Sequence, residues 1–204
     1  GPATTAAWTS ESNQASADYG VSVASAGDVN GDGFGDVVVG ADLYDAGQTD
    51  EGRAFVFLGS ATGPAATAAW TAESNQAGAH FGACVSAAGD VNGDGYADVI
   101  VGAPLFDNGQ TDEGRAFVYP GSASGPSAAS SWTAESNQAS ATFGSTLGTA
   151  GDVNGDGYAD LIVGASQYDN GDRDEGRAHV YLGSPSGPSL VADWTTESDQ
   201  RDAD

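Results

Sequence analysis

Trp8, Trp70, Trp132 and Trp194 stand 62 residues apart, and Asp28, Asp90 and Asp152 keep the same interval. No other feature constrains the fold as much. A unit of this length repeated along the chain has to be one supersecondary element that buries its apolar face against its neighbours. The opening "GPATTAAW" matches "GPAATAAW" at 63–70, so Gly1 and Pro2 read as repeat sequence and not as a tag. The 204 residues then divide into an overhang, 1–18, and three copies, 19–80, 81–142 and 143–204, with no linker and no second domain.

Each copy reads as four short strands. In the second copy these are "FGACVSAA" (81–88), "DVIVGA" (98–103), "GRAFVYPGS" (114–122) and "ASSWTAE" (129–135). The third alternates, placing Phe117 and Tyr119 on one face and Ala116 and Val118 on the other. No window carries a 3.6-residue apolar period. Thirty-one glycines with no methionine suit tight turns between strands better than a leucine-packed helical core. The fold class is all-β, and four strands per repeat of this length describe a propeller blade, a four-stranded antiparallel sheet, rather than a solenoid rung. The tryptophans are expected to fill the space between stacked blades. The overhang carries fourth-strand sequence of its own, "TAAWTSE".

"GDVNGDGYAD" occupies 89–98 and 151–160, and "GDVNGDGFGD" occupies 27–36. Oxygen-bearing side chains at positions 1, 3, 5 and 9, with a position-7 carbonyl and a position-6 glycine for the sharp turn, converge on one point. The predicted ligands are Asp28, Asn30, Asp32, Phe34 and Asp36; Asp90, Asn92, Asp94, Tyr96 and Asp98; and Asp152, Asn154, Asp156, Tyr158 and Asp160. Carboxylates this close repel one another without a counter-ion. An all-oxygen, flexible set suits Ca²⁺ better than Mg²⁺, and the loops hold no His or Cys for Zn²⁺. The competing reading is an Asx-rich turn that hydrogen-bonds its own backbone; three copies at one spacing weigh against it. An EF-hand is excluded, because Val39, Val101 and Val163 stand where a bidentate Glu is required.

With 29 acidic residues against 5 basic, the net charge is −24. Nothing here can neutralise nucleic-acid phosphates, and an anionic membrane surface would repel the chain. Cys84 is the single cysteine and has no internal disulfide partner. No long apolar run and no leader-like segment occurs, as expected of a mature or excised part of a secreted protein.

These residues resemble the FG-GAP repeats of integrin α-subunit β-propellers and their bacterial relatives. The name-giving pairs are Phe81-Gly82 and Phe143-Gly144, with Tyr19-Gly20 in the first copy. "GAP" is literal at 102–104 and becomes "GAD" at 40–42 and "GAS" at 164–166. The resemblance implies that the Ca²⁺ loop joins strands one and two on the lower face of each blade. The loops around Glu11, Glu73 and Glu135 and around Asp50-Glu51, Asp112-Glu113 and Asp174-Glu175 would share the upper, partner-binding face. Arg53, Arg115 and Arg177 are expected to pair with neighbouring carboxylates. Integrin propellers have seven blades, and three cannot close a ring. The expected architecture is therefore an incomplete ring, completed by more chain or by a homo-oligomer, most simply two chains giving six blades.

The function expected is a Ca²⁺-stabilised extracellular or cell-surface adhesion or scaffold module that engages a protein. The alternatives are a lectin-like glycan binder using Tyr44, Phe106 or Tyr168, and a structural spacer. No enzyme is expected: His80 and His179 occupy non-equivalent repeat positions and form no catalytic constellation.

Overall fold

The computed structural model describes residues 5–198. Three antiparallel sheets follow one another along the chain, each with its strands in sequence order. The first contains β1 (Val23–Gly27), β2 (Asp36–Ala41), β3 (Arg53–Phe57) and β4 (Trp70–Glu73). The second contains β5 (Cys84–Gly89), β6 (Asp98–Ala103), β7 (Arg115–Tyr119) and β8 (Trp132–Glu135). The third contains β9 (Phe143–Gly151), β10 (Asp160–Ala165), β11 (Arg177–Tyr181) and β12 (Trp194–Glu197). Registers repeat from blade to blade: Val39 pairs with Phe55, Val101 with Phe117 and Val163 with His179. The fold is an open stack of three propeller blades, with β1 against β5 and β5 against β9.

The core lies between blades, and strand alternation puts it there. Phe117 and Tyr119 join Val38, Val56 and Trp70 in the cluster between blades one and two. Ala116 and Val118, on the other face of β7, join Trp132, Phe143 and Leu161 between blades two and three. Each inter-blade tryptophan meets the next blade edge-on, with ring centroids 4.9 Å apart for Trp70–Tyr119 and 5.0 Å for Trp132–Tyr181.

The motif glycines explain how closely the blades approach. A Cβ on Gly40 would lie 1.9 Å from the Gly82 carbonyl oxygen, and one on Gly102 would lie 2.1 Å from that of Gly144. The glycine after the aromatic in one blade therefore presses on the glycine before the alanine in the preceding one. Neither position has room for a side chain.

The fourth-strand sequence of the overhang forms no strand in residues 5–18. Trp8 nevertheless packs on blade one, its ring 5.0 Å from Phe57 and its Nε1 donating to the Ala65 carbonyl at 3.0 Å. The segment has an aromatic seat but no third strand beside it to pair with, and without a ladder its backbone stays irregular.

Candidate metal centre

Each acidic loop links the first two strands of its blade. In the second, Asp90 Oδ1 accepts from Gly93 N at 2.7 Å and Asp94 N at 3.0 Å, while Oδ2 accepts from Gly95 N at 2.9 Å. Asn92 Oδ1 accepts from Asp94 N, and its Nδ2 donates to Asp94 Oδ2, both at 2.9 Å. Asp94 Oδ1 accepts from Tyr96 N at 3.0 Å. Gly95 sits at φ +91°, which lets the chain turn back over the Asp90 carboxylate. The third loop repeats the set around Asp152, Asn154 and Asp156. The first keeps it around Asp28, Asn30 and Asp32 without the bond from Gly31.

The position-9 aspartates lie deeper. Asp36, Asp98 and Asp160 are buried, and every one of their carboxylate oxygens accepts a backbone N–H. Asp98 takes Val91 N at 2.9 Å and Gly121 N at 2.8 Å, so it struts the loop onto the turn after β7. Burial pushes its carboxyl up to about 6; the two amides pull it down, and Asp94 and Asp90 push it further up. Burial likewise raises the Asp36 carboxyl.

Among the described residues, no three Asp, Glu, His or Cys side chains converge closely enough to hold a metal ion on their own. The Asx turns weighed against the metal reading are all formed. They do not exhaust the donors, since each carboxylate offers about four lone-pair sites and Asp90 uses three, Asp94 two. The residues that could hold a cation are the Asp and Asn of positions 1, 3 and 5, reinforced by the buried position-9 carboxylate. All are hard oxygen donors.

The position-7 residues do something the sequence did not signal. The Tyr96 ring lies over Gly31 of the preceding loop, where a Cβ would come within 2.8 Å of Cε1. Tyr158 covers Gly93 in the same way, at 2.5 Å. Loop backbones also bond across blades: Ala97 N donates to the Asp28 carbonyl at 3.0 Å, Ser122 N to Val29 at 3.1 Å, Ala159 N to Asp90 at 2.9 Å and Ser184 N to Val91 at 3.1 Å.

On the opposite face most of the acid is already engaged. Arg53, Arg115 and Arg177 pair with Glu73, Glu135 and Glu197, as the sequence predicts, and stack over Tyr44, Phe106 and Tyr168 at 4.7, 4.9 and 4.2 Å. Glu51 and Glu113 are buried and accept loop amides, from Ala46 at 2.7 Å and Asn108 at 2.6 Å. Gln76 exchanges two hydrogen bonds with the Asp107 backbone of the next blade, at 2.9 and 2.6 Å. These glutamate and glutamine roles were hidden in sequence. Their only trace is exact repetition in "ESNQ" and "DEGR". His80 Nδ1 lies 3.2 Å from Asp42 Oδ2. His179 is buried between blades, and burial, aided by Arg177, lowers it to about 4.

A family model described as FG-GAP repeat matches residues 19–57, 85–119 and 143–181, one segment per blade. The chain belongs to the FG-GAP repeat family. Integrin alpha-PS2 of Drosophila melanogaster is 37% identical over 74% of this chain and 12% of its own length. Integrin alpha-IIb of Mus musculus is 37% identical over 68% of this chain and 14% of its own, and integrin alpha-V of Gallus gallus 34% over 76% and 16%. The chain thus spans only 12% to 16% of these relatives. Among solved structures, the exotype rhamnogalacturonan lyase YesX matches 86% of this chain and 33% of its own with a TM-score of 0.51. At 18% identity that likeness concerns the fold alone. Among the described residues no helix is long and apolar enough to cross a membrane.

Proposed function

We propose that this chain is a Ca²⁺-stabilised, non-enzymatic protein-interaction module of the adhesion type, presented outside the cell. The observation that carries the reading is the threefold oxygen-lined loop, whose backbone in the first two copies is hydrogen-bonded to the next blade. Asp28, Asn30, Asp32 and Asp36, with their equivalents at 90–98 and 152–160, would hold one ion each. A bound cation supplies the positive charge these carboxylates lack and draws each loop into one conformation. A loop so ordered presents its carbonyls to the adjacent blade, which couples metal to blade stacking. The integrin relatives support the adhesion and extracellular parts of the reading. A protein partner is favoured over a glycan because a guanidinium covers one face of each of the aromatics Tyr44, Phe106 and Tyr168.

The test is thermal melting with Ca²⁺ and with EDTA. At tenfold excess over Kd each site contributes about 1.4 kcal/mol. Three sites together then raise the melting temperature by about 10 °C. Titration calorimetry on Asp94→Ala should lose one bound ion per chain relative to wild type. Identical melting in chelator and in millimolar Ca²⁺ removes the metal from the reading.

A further inference from the structure

We propose that Asn108-Gly109 and Asn170-Gly171 are sites of spontaneous deamidation, a self-modification that sets a carboxylate against the glutamate each asparagine now binds. The chain contains five Asn-Gly pairs, at 30–31, 92–93, 108–109, 154–155 and 170–171. Such a pair carries its own reaction. The glycine amide nitrogen attacks Cγ of the asparagine; a C–N bond forms, the bond from Cγ to Nδ2 breaks, and the side-chain nitrogen leaves as ammonia. Water then opens the five-membered imide at either carbonyl, giving aspartate or its isomer with the chain routed through the side chain. Nothing is oxidised or reduced, and the only co-reactant is water. Glycine permits the attack because no side chain shields its nitrogen. Folding controls whether that nitrogen can reach Cγ.

The three pairs in the acidic loops are locked. Asp94 N and Oδ2 hold both ends of the Asn92 amide, and Gly93 N is committed to Asp90 Oδ1 at 2.7 Å. Asp156 holds Asn154 in the same way, with Gly155 N on Asp152 Oδ1 at 2.7 Å. Gly31 N has no partner among the described residues, but Asp32 holds both ends of the Asn30 amide and the Tyr96 ring covers the glycine.

The two pairs on the opposite face are open. Asn108, Gly109, Asn170 and Gly171 are all exposed. The glycines sit at φ +110° and +112°, an added Cβ at either would meet nothing within 4 Å, and neither N–H has an acceptor among the described residues. Only the departing nitrogen is engaged: Asn108 Nδ2 donates to both Glu135 oxygens at 2.9 Å, and Asn170 Nδ2 to Glu197 Oε1 at 2.5 Å. Deamidation exchanges that donor for a carboxylate facing a carboxylate, and the two repel. Each site also adjoins a clasp between blades, since Gln76 binds the Asp107 backbone and Gln138 that of Asp169. Blade one has Ala46 at this position. The modification therefore loosens the loops of blades two and three and leaves that of blade one unchanged.

Peptide mass spectrometry of the folded chain, aged at mildly alkaline pH in Ca²⁺ and in EDTA, tests the assignment. Asn108 and Asn170 should gain the one-unit mass shift about tenfold faster than Asn92 and Asn154, whereas in urea all five pairs should react at similar rates. N108D supplies the product's charge with the backbone intact. It should exchange amide hydrogen faster than wild type over residues 105–112, with an unchanged circular dichroism spectrum. Reaction at Asn108 and Asn170 no faster than at Asn92 and Asn154 in the folded chain overturns the proposal, as does a difference that persists in urea. Unchanged exchange in N108D overturns the loosening.

Discussion

The second and third acidic loops have the same ten residues, "GDVNGDGYAD", and the same internal hydrogen bonds, yet Val91 is 1% exposed and Val153 58%. The difference comes entirely from the adjacent blade. Blade three covers the loop of blade two, laying Tyr158 on Gly93 and Ser184 N on the Val91 carbonyl. Gly155, the equivalent of Gly93, would meet nothing within 4 Å of an added Cβ. Local sequence therefore sets the loop's shape, while its burial belongs to the junction. Stability in such an array resides in the interfaces as much as in the repeats.

That contrast can be broken at three places. The largest effect is expected from Gly102→Ala, whose new Cβ would stand 2.1 Å from the Gly144 carbonyl oxygen. Backbone has to move, at a cost of about 3 kcal/mol. Gly164→Ala meets only the Thr146 hydroxyl, which can rotate away, and should cost well under half as much. Urea unfolding of the pair reads the difference; equal losses would show that blade contact is not what excludes a side chain from Gly102.

Next, Val91→Ala removes fully buried methyls and should cost about 2 kcal/mol. Val153→Ala, the same substitution in the same decapeptide, should stay within about 0.5 kcal/mol. Similar losses at both positions would mean that blade three's trailing face is covered in solution.

The smallest effect is a pH dependence confined to blade three, where His179 replaces Phe55 and Phe117. Its lowered value, about 4 against 6.5, means that the folded chain holds the imidazole neutral while the unfolded chain protonates it. Its contribution is therefore present above 6.5 and lost as pH falls from 6.5 toward 4. His179→Phe should remove this loss, gaining about 1 kcal/mol relative to wild type between pH 7.5 and 5.5. Parallel pH profiles for the two proteins would show that His179 is solvated.

Much of this molecule was legible in its sequence. The 62-residue interval, strand alternation in "RAFVY" and the glycine-bounded apolar runs foretold three four-stranded blades, because period and face are properties of neighbouring residues. That each arginine would pair with a carboxylate followed from charge, but not that the partners would be Glu73, Glu135 and Glu197, 20 residues further along. The acidic loops were legible as oxygen clusters. Sequence could not tell that Asp98 would spend both oxygens on Val91 and Gly121, since the Gly121 amide lies 23 residues away. Nor could it assign Tyr96 to Gly31 of another blade.

What the sequence determined alone, then, is the repeating unit and the local shape of its loops. Hydrogen bonds a few residues long and side-chain alternation need no distant partner. Tertiary structure alone decided which copies of that unit are buried. Trp132 and Trp194 open equivalent strands, β8 and β12, and among the described residues only Trp132 packs against a following blade. Burial is a relation between surfaces, and at the outer face of a stack of blades that relation is half made.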